Sequence, residues 1–197
     1  AFNVRGCFGS LRESFHHSLF QVASIITTTG FSTVDFNQWP AFSKLLLVLL
    51  MFIGACAGST GGGMKCSRIL LLFKGVKKEM MSLIHPRLVR VHKMDGQRVQ
   101  HEVMRSVNAF LVAYLIVIAT SILIVSLHCE DIVTSFTAVV TCINNVGPGL
   151  NQVGPAANFG ALHPLSKIVL TFDMLAGRLE LFPMLLLFAP ETWRRNR

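Results

Sequence analysis

"SLFQVASIITTTGF" (residues 18–31) and "SFTAVVTCINNVGP" (residues 135–148) align without a gap, with Ser18 on Ser135, Val22 on Val139, Ile26 on Ile143 and Gly30 on Gly147. Each is a short apolar segment that stops at polar residues and a glycine. After an insertion in the second copy, "SKLLLVLLMFIGA" (43–55) aligns with "SKIVLTFDMLAGR" (166–178), matching the Ser-Lys pair, Met51 with Met174 and Gly54 with Gly177. The chain therefore writes one unit twice: short apolar segment, polar turn with glycine, loop, long apolar helix.

The unit sits in a chain of 197 residues that is 52% hydrophobic and only 14% charged, with a mean hydropathy of +0.55. That is too apolar for an ordinary soluble domain and points to an integral membrane protein surrounded by lipid. Residues 41–57 and 108–127 are apolar enough to enter a bilayer, and the second matches the ~20 residues needed to cross its ~30 Å core. Residues 165–190 are long enough but carry charge in their middle.

The net charge of +8 is concentrated. Lys74, Lys77, Lys78, Arg87, Arg90, Lys93, Arg98 and Arg105 lie in one connection, and Arg194, Arg195 and Arg197 close the sequence. This positive-inside pattern places residues 74–105 and the C-terminus in the cytoplasm and argues against a nucleic-acid partner. The five cysteines show no CxxC pattern and no secretory framework, so reduced thiols are expected; the seven histidines lack metal-ligand spacing. The first fifteen residues contain no signal-peptide h-region.

Residues 17–26 and 132–143 are too short to span, since a dozen helical residues rise only ~18 Å. With 74–105 inside, the span 108–127 ends outside and the span 165–190 begins there, so everything between leaves and returns on the outer face. A short helix that dips in and turns at "NNVGPG" satisfies this; a capped surface loop between two helices is the alternative. The same logic puts residues 1–40 outside, and the first unit then lacks a preceding outer helix, which implies that an earlier part of the polypeptide is missing.

Non-helical backbone at membrane depth is tolerated only where protein or a water-filled cavity satisfies it. A turn ending in glycine reaches φ > 0 and can aim successive carbonyls at one point, as in rings that replace the hydration shell of a potassium ion. Thr27, Thr28 and Thr29 before Gly30, and Asn144, Asn145 and Val146 before Gly147, are the candidate ligand set. Neither turn contains an acid, which suits a monovalent cation more than calcium.

"GACAGSTGGGMKCSR" (54–68) is the second feature. A straight helix from Pro40 to Phe73 would rise ~50 Å, so Gly58, Gly61, Gly62 and Gly63 are expected to break it. The spacing Gly58 to Gly63 mimics a phosphate loop, but Met64 intervenes before Lys65 and Cys66 follows it. An intramembrane gate is the better reading. Arg178 is the third feature: an arginine within a span is costly and faces a cavity or a partner. Asp173 and Glu180 are not at the i±3 or i±4 spacing that would pair with it on one helix face.

The stretches "ASIITTTGFSTVDFNQWP", "GACAGSTGGGMKCSRILLLFK", "NNVGPGLNQVGP" and "DMLAGRLELFP" together resemble the bacterial Trk/Ktr potassium-uptake family, in the C-terminal half of membrane subunits of the TrkH/TrkG type. The resemblance implies an all-α membrane protein with four helix, pore-loop, helix units, of which two are present here. Residues 1–83 would be the third unit without its first helix, 84–105 a basic cytoplasmic connection, and 106–197 the fourth unit. It implies potassium uptake across the bacterial inner membrane by a multi-pass transporter with its C-terminus in the cytoplasm, and no enzymatic activity. It maps the reduced filter to Gly30 and Gly147, the gating loop to 58–63 and the pore arginine to Arg178. It also implies a homodimer and a cytosolic nucleotide-binding regulatory subunit of the Trk A type, for which the basic connection and the C-terminus are the expected contacts. Two pore loops cannot close a four-sided filter, so the chain as given should not conduct alone. The readings of other classes are an ion-coupled secondary transporter with broken helices and a nucleotide-binding membrane enzyme resting on "GSTGGGMK".

Overall fold

A computed structural model describes residues 1–54, 56, 59, 61–85, 93, 94, 97, 98, 101–179, 183 and 184. Among them are six α-helices: α1 (Leu11–Ile26), α2 (Ala41–Phe52), α3 (Cys66–Ile84), α4 (His101–Ser126), α5 (Ile132–Ile143) and α6 (Pro164–Arg178). The basic connection between α3 and α4 carries one antiparallel pair of two-residue strands, β1 (Lys93–Met94) and β2 (Gln97–Arg98), in an otherwise helical fold.

The caps explain where the helices begin. Ser10 accepts a hydrogen bond from the Arg12 N–H, so α1 starts six residues before the apolar run at 17–26. Asp131 receives the N–H groups of Val133 and Thr134 and opens α5. His163 caps α6, with Pro164 at its first position, where a missing N–H costs nothing. α4 begins at His101 and takes in the span expected at 108–127 as far as Ser126; Glu102–Ser126 is long and apolar enough to cross a membrane.

The breaks come earlier than composition suggests. α2 stops at Phe52, not at Gly58, because the chain closes a neck there: Ile53 bridges Met64, the Gly54 N–H donates to the Met64 carbonyl at 2.9 Å, and the Cys66 thiol donates to the Gly54 carbonyl at 3.0 Å. Both backbone groups of Gly54 are thus satisfied across the loop and not along the helix. α6 likewise ends at Arg178, so the arginine is its last residue and lies at the negative end of the helix dipole. The rest of the span expected to 190 falls outside the described residues except for 183 and 184.

α5 is the centre of the packing. Nine of its twelve residues are buried, and α4, α6 and α2 all lie against it. Tyr114, Ile118 and Val125 of α4 meet Ala138, Val139 and Ile143 of α5 and Leu170 and Ala176 of α6 in one core; Ile25, Leu47, Met51, Phe36 and Trp39 join Val140 and Val146 in a second. α1 is covered on one side only, with Phe15 and Leu19 about 60% and 58% exposed.

Candidate functional site

α1 and α5 end in the same turn, with matched hydrogen bonds up to the glycine, whose N–H goes to the Ser24 carbonyl in the first copy and to the Thr141 hydroxyl in the second. In the first copy the N–H groups of Thr27, Thr28 and Thr29 donate to the carbonyls of Ala23, Ile25 and Ser24; in the second, those of Asn144, Asn145 and Val146 donate to Val140, Cys142 and Thr141, the aligned residues. The Ser24 hydroxyl donates to the Phe31 carbonyl at 2.7 Å and the Thr141 hydroxyl to the Pro148 carbonyl at 3.2 Å, again a matched pair. Thr28 and Asn145 both sit at φ 53, and Gly30 and Gly147 at φ 78 and 116. A threonine held in the left-handed region costs about 1–2 kcal/mol, so the turns are imposed by their surroundings and not by local preference.

The consequence is a division of the peptide groups. The N–H groups of the turns point back to the ends of the helices, and the Gly147 N–H donates to the Thr141 hydroxyl at 2.9 Å. Among the described residues no group donates to the carbonyls of Thr27, Thr28, Thr29, Gly30, Asn144, Asn145, Val146 or Gly147. Both turns follow the C-terminal ends of their helices, α1 and α5, where the helix dipole is negative. The two turns also touch: a Cβ on Gly30 would overlap the Val146 carbonyl, and one on Gly147 would lie 3.8 Å from the Gly30 Cα. A cavity of about 460 Å³ opens beside them, bordered by Thr28, Thr29, Asn145, Val146 and Gly147 and by Lys167 and Met174 of α6.

Side chains divide less evenly than the sequence suggests. Thr27 spends its hydroxyl on the Ala23 carbonyl at 2.7 Å and on Thr29, while Asn145 donates to the Met174 carbonyl of α6 at 3.2 Å. Asn144 is fully buried, accepting from the Tyr114 hydroxyl at 2.7 Å and donating to the Val140 carbonyl at 2.8 Å. Its side chain braces the turn from behind and does not face the cavity. Tyr114, absent from the reading of the sequence, is the only tyrosine in the chain, placed within an apolar span. A buried phenol needs a partner, which was the available signal.

The glycine-rich segment lies directly against this second turn. A Cβ on Gly62 would overlap the Asn144 carbonyl, and one on Gly63, at φ 79, would stand 2.9 Å from the Asn144 Oδ1. Gly61 and Gly63 border a small polar cavity, about 50 Å³, with Ser59, Lys65, Arg68, Tyr114, Gly177 and Arg178 around it. Arg68 also lies over the Phe110 ring at 4.2 Å. Gly58 is outside the described residues. The structure thus brings Gly61, Gly62, Gly63 and Arg178 together beneath the Asn144 turn. Asp173, weighed from sequence as a partner for Arg178, is instead buried and accepts from the Ser121 hydroxyl of α4 at 2.8 Å.

Comparison with known proteins gives a consistent answer. Residues 6–195 match the TrkH family, described as cation transport proteins. The Trk system potassium uptake protein TrkH of Salmonella typhimurium is 41% identical over 187 residues, 95% of this chain and 38% of its own length. TrkH of Vibrio parahaemolyticus is 43% identical over 92% of this chain and 37% of its own, and TrkG of Escherichia coli 39% identical over 93% and 38%. The crystal structure of the potassium transporter TrkH from Vibrio parahaemolyticus superposes with a TM-score of 0.89 at 41% identity, covering 98% of this chain and 41% of that one. The chain therefore spans well under half the length of the relatives it matches.

Proposed function

We infer, from a chain that belongs to the TrkH family of cation transport proteins, that it supplies two adjacent walls of a potassium pathway in a bacterial inner-membrane transporter, not an enzyme. The observation that carries this is the set of eight carbonyls at Thr27, Thr28, Thr29, Gly30, Asn144, Asn145, Val146 and Gly147 that accept no hydrogen bond among the described residues, in two turns of matched geometry. Backbone oxygens held by helices that are themselves packed replace water around a dehydrated monovalent cation at little reorganisation cost. Two further units of the same kind, carried by polypeptide beyond these residues, complete the ring.

The glycine segment and Arg178 act as the gate below the filter. What supports this is their convergence on the small cavity under Asn144, where a positive charge opposes cation passage. The turns dip from the outer face, the basic connection and the C-terminus lie in the cytoplasm, and the apolar face left open on α1 meets lipid or neighbouring units. A homodimer, with a cytosolic nucleotide-binding subunit of the Trk A type on the inner face, is the assembly that fits the family. Potassium is the transported ion and not a resident cofactor.

The test is rubidium uptake by the reconstituted full-length protein carrying Gly147→Val. A branched side chain at φ 116 forces that turn to rearrange. Loss of uptake, or loss of preference over sodium, is expected; normal selectivity in folded protein sinks the filter assignment.

A further inference from the structure

The two copies of the unit are also joined by hydrogen bonds away from the turns, in their return segments. Asn37 lies in the return from the first turn to α2, and Asn151 in the return from the second turn towards α6, 114 residues later. The Asn37 amide donates to the Asn151 carbonyl at 3.2 Å, and the Asn151 N–H donates to the Asn37 Oδ1 at 2.9 Å. This is a reciprocal pair of the kind that joins strands, made by one side chain.

Both ends of the pair are anchored. The Lys44 ammonium of α2 donates to the Asn37 carbonyl at 3.3 Å, and a Cβ on Gly154 would overlap the Asn37 amide, so the glycine leaves the space this side chain fills. Asn151 sits in the left-handed region at φ 54, and its own amide donates to Asp131 Oδ2 at 2.5 Å. Asp131 is the cap of α5, receiving the Val133 and Thr134 N–H groups and the Thr134 hydroxyl. α5 in turn ends at the second turn, a rod ~18 Å long.

We propose that Asn37 and Asn151 form a clasp that sets the separation of the two carbonyl turns, and that this pair is a positioning and specificity-determining element of ion selection. The reading rests on the filter assignment above. Selectivity by carbonyl dipoles depends on where the opposing oxygens stand. At the inner level Gly30 meets Val146, Gly147 and the Pro148 ring, and Ile25 shares a core with Val140 and Val146; these contacts are apolar or steric and carry no hydrogen bond between the turns among the described residues. The clasp adds a directional, hydrogen-bonded attachment to that packing, and through Lys44 and Asp131 it ties the inner helix of one unit to the pore helix of the next.

The experiment measures rubidium uptake and its competition by sodium in the reconstituted full-length protein, wild type against Asn37→Ala, Asn37→Asp, Asn151→Gly and the double variant Asn37→Ala/Asn151→Gly. Asn151→Gly keeps the left-handed backbone and removes only the link to Asp131. Asn37→Ala is expected to lower the rubidium-over-sodium preference by up to about tenfold, equivalent to ~1.4 kcal/mol. Asn37→Asp, which keeps the acceptor for the Asn151 N–H, recovers part of it, and the double variant falls no further than the worse single one. Unchanged preference in Asn37→Ala with uptake intact overturns the clasp. Melting temperatures of the same four variants separate the two ideas: additive shifts overturn the clasp, whereas coupled shifts in a protein that moves no rubidium overturn the filter reading instead.

Discussion

Removing the Tyr114 hydroxyl probes the brace behind the second turn. In Tyr114→Phe the ring stays in the α4–α5–α6 core, so little apolar burial changes. What changes is Asn144 Oδ1, buried and accepting from the phenol at 2.7 Å. A buried acceptor left without its donor costs about 1–3 kcal/mol. The phenol's own desolvation is relieved in the variant, so the net loss belongs at the lower end, about 1–2 kcal/mol. That strain falls on the residue against which Gly62 and Gly63 are seated. If the glycine segment is the gate proposed above, the position it holds against Asn144 is thereby weakened, and basal rubidium flux should rise several-fold. The assay is flux through the full-length protein in proteoliposomes, beside thermal unfolding in detergent. Asn144→Ala is the companion: since one hydrogen bond joins the pair, the double variant should melt no lower than the worse single variant. Additive melting shifts, or a destabilised Tyr114→Phe protein with wild-type flux, would refute the reasoning that the brace and the gate share Asn144.

Two further outcomes follow from the same geometry. Arg178→Ala removes a unit charge from the cavity under the turn, worth about 1–2 kcal/mol at an effective dielectric near 20; rubidium flux should rise roughly tenfold, and unchanged or lower flux in folded protein contradicts a barrier role. Asp131 has its carboxyl held below the usual carboxylate range, first by the Asn151 amide and then by the Thr134 hydroxyl. A depressed native value stabilises the fold above the ordinary carboxylate range, and that contribution is lost as pH falls through the lowered value. The melting temperature of Asp131→Asn should therefore lie below wild type at pH 7, and the gap should close on acidification below about pH 4; a gap independent of pH removes the carboxylate from the explanation.

What the sequence reveals and what it hides divide along physical lines. The repeat is legible because a turn that must reach φ > 0 twice, at aligned positions, needs glycine twice, and Gly30 and Gly147 are there. The apolar spans are legible because hydrocarbon thickness sets a length. The end of α2 at Phe52 is not, since it is fixed by hydrogen bonds from Gly54 to Met64 and Cys66 across the loop, and those depend on tertiary closure. Composition alone shifts that break to the glycines. Asn144 reads as a ligand beside Asn145 because two adjacent amides look equivalent; Tyr114, thirty residues away, turns one of them inward. Arg178 reads as a mid-span charge, yet it closes α6, which runs three aligned residues further than its counterpart α2 before it breaks. The clasp between Asn37 and Asn151 has no sequence signature at all, being a contact between two polar loops.

Rubidium soaked into crystals of the full-length protein and located by its anomalous scattering tests the central claim most directly. The claim requires an ion between the turns at 27–30 and 144–147, bounded by their backbone carbonyls, with no acidic side chain among its ligands. An ion held elsewhere, or density between the turns that persists unchanged when rubidium is replaced by sodium, would contradict it.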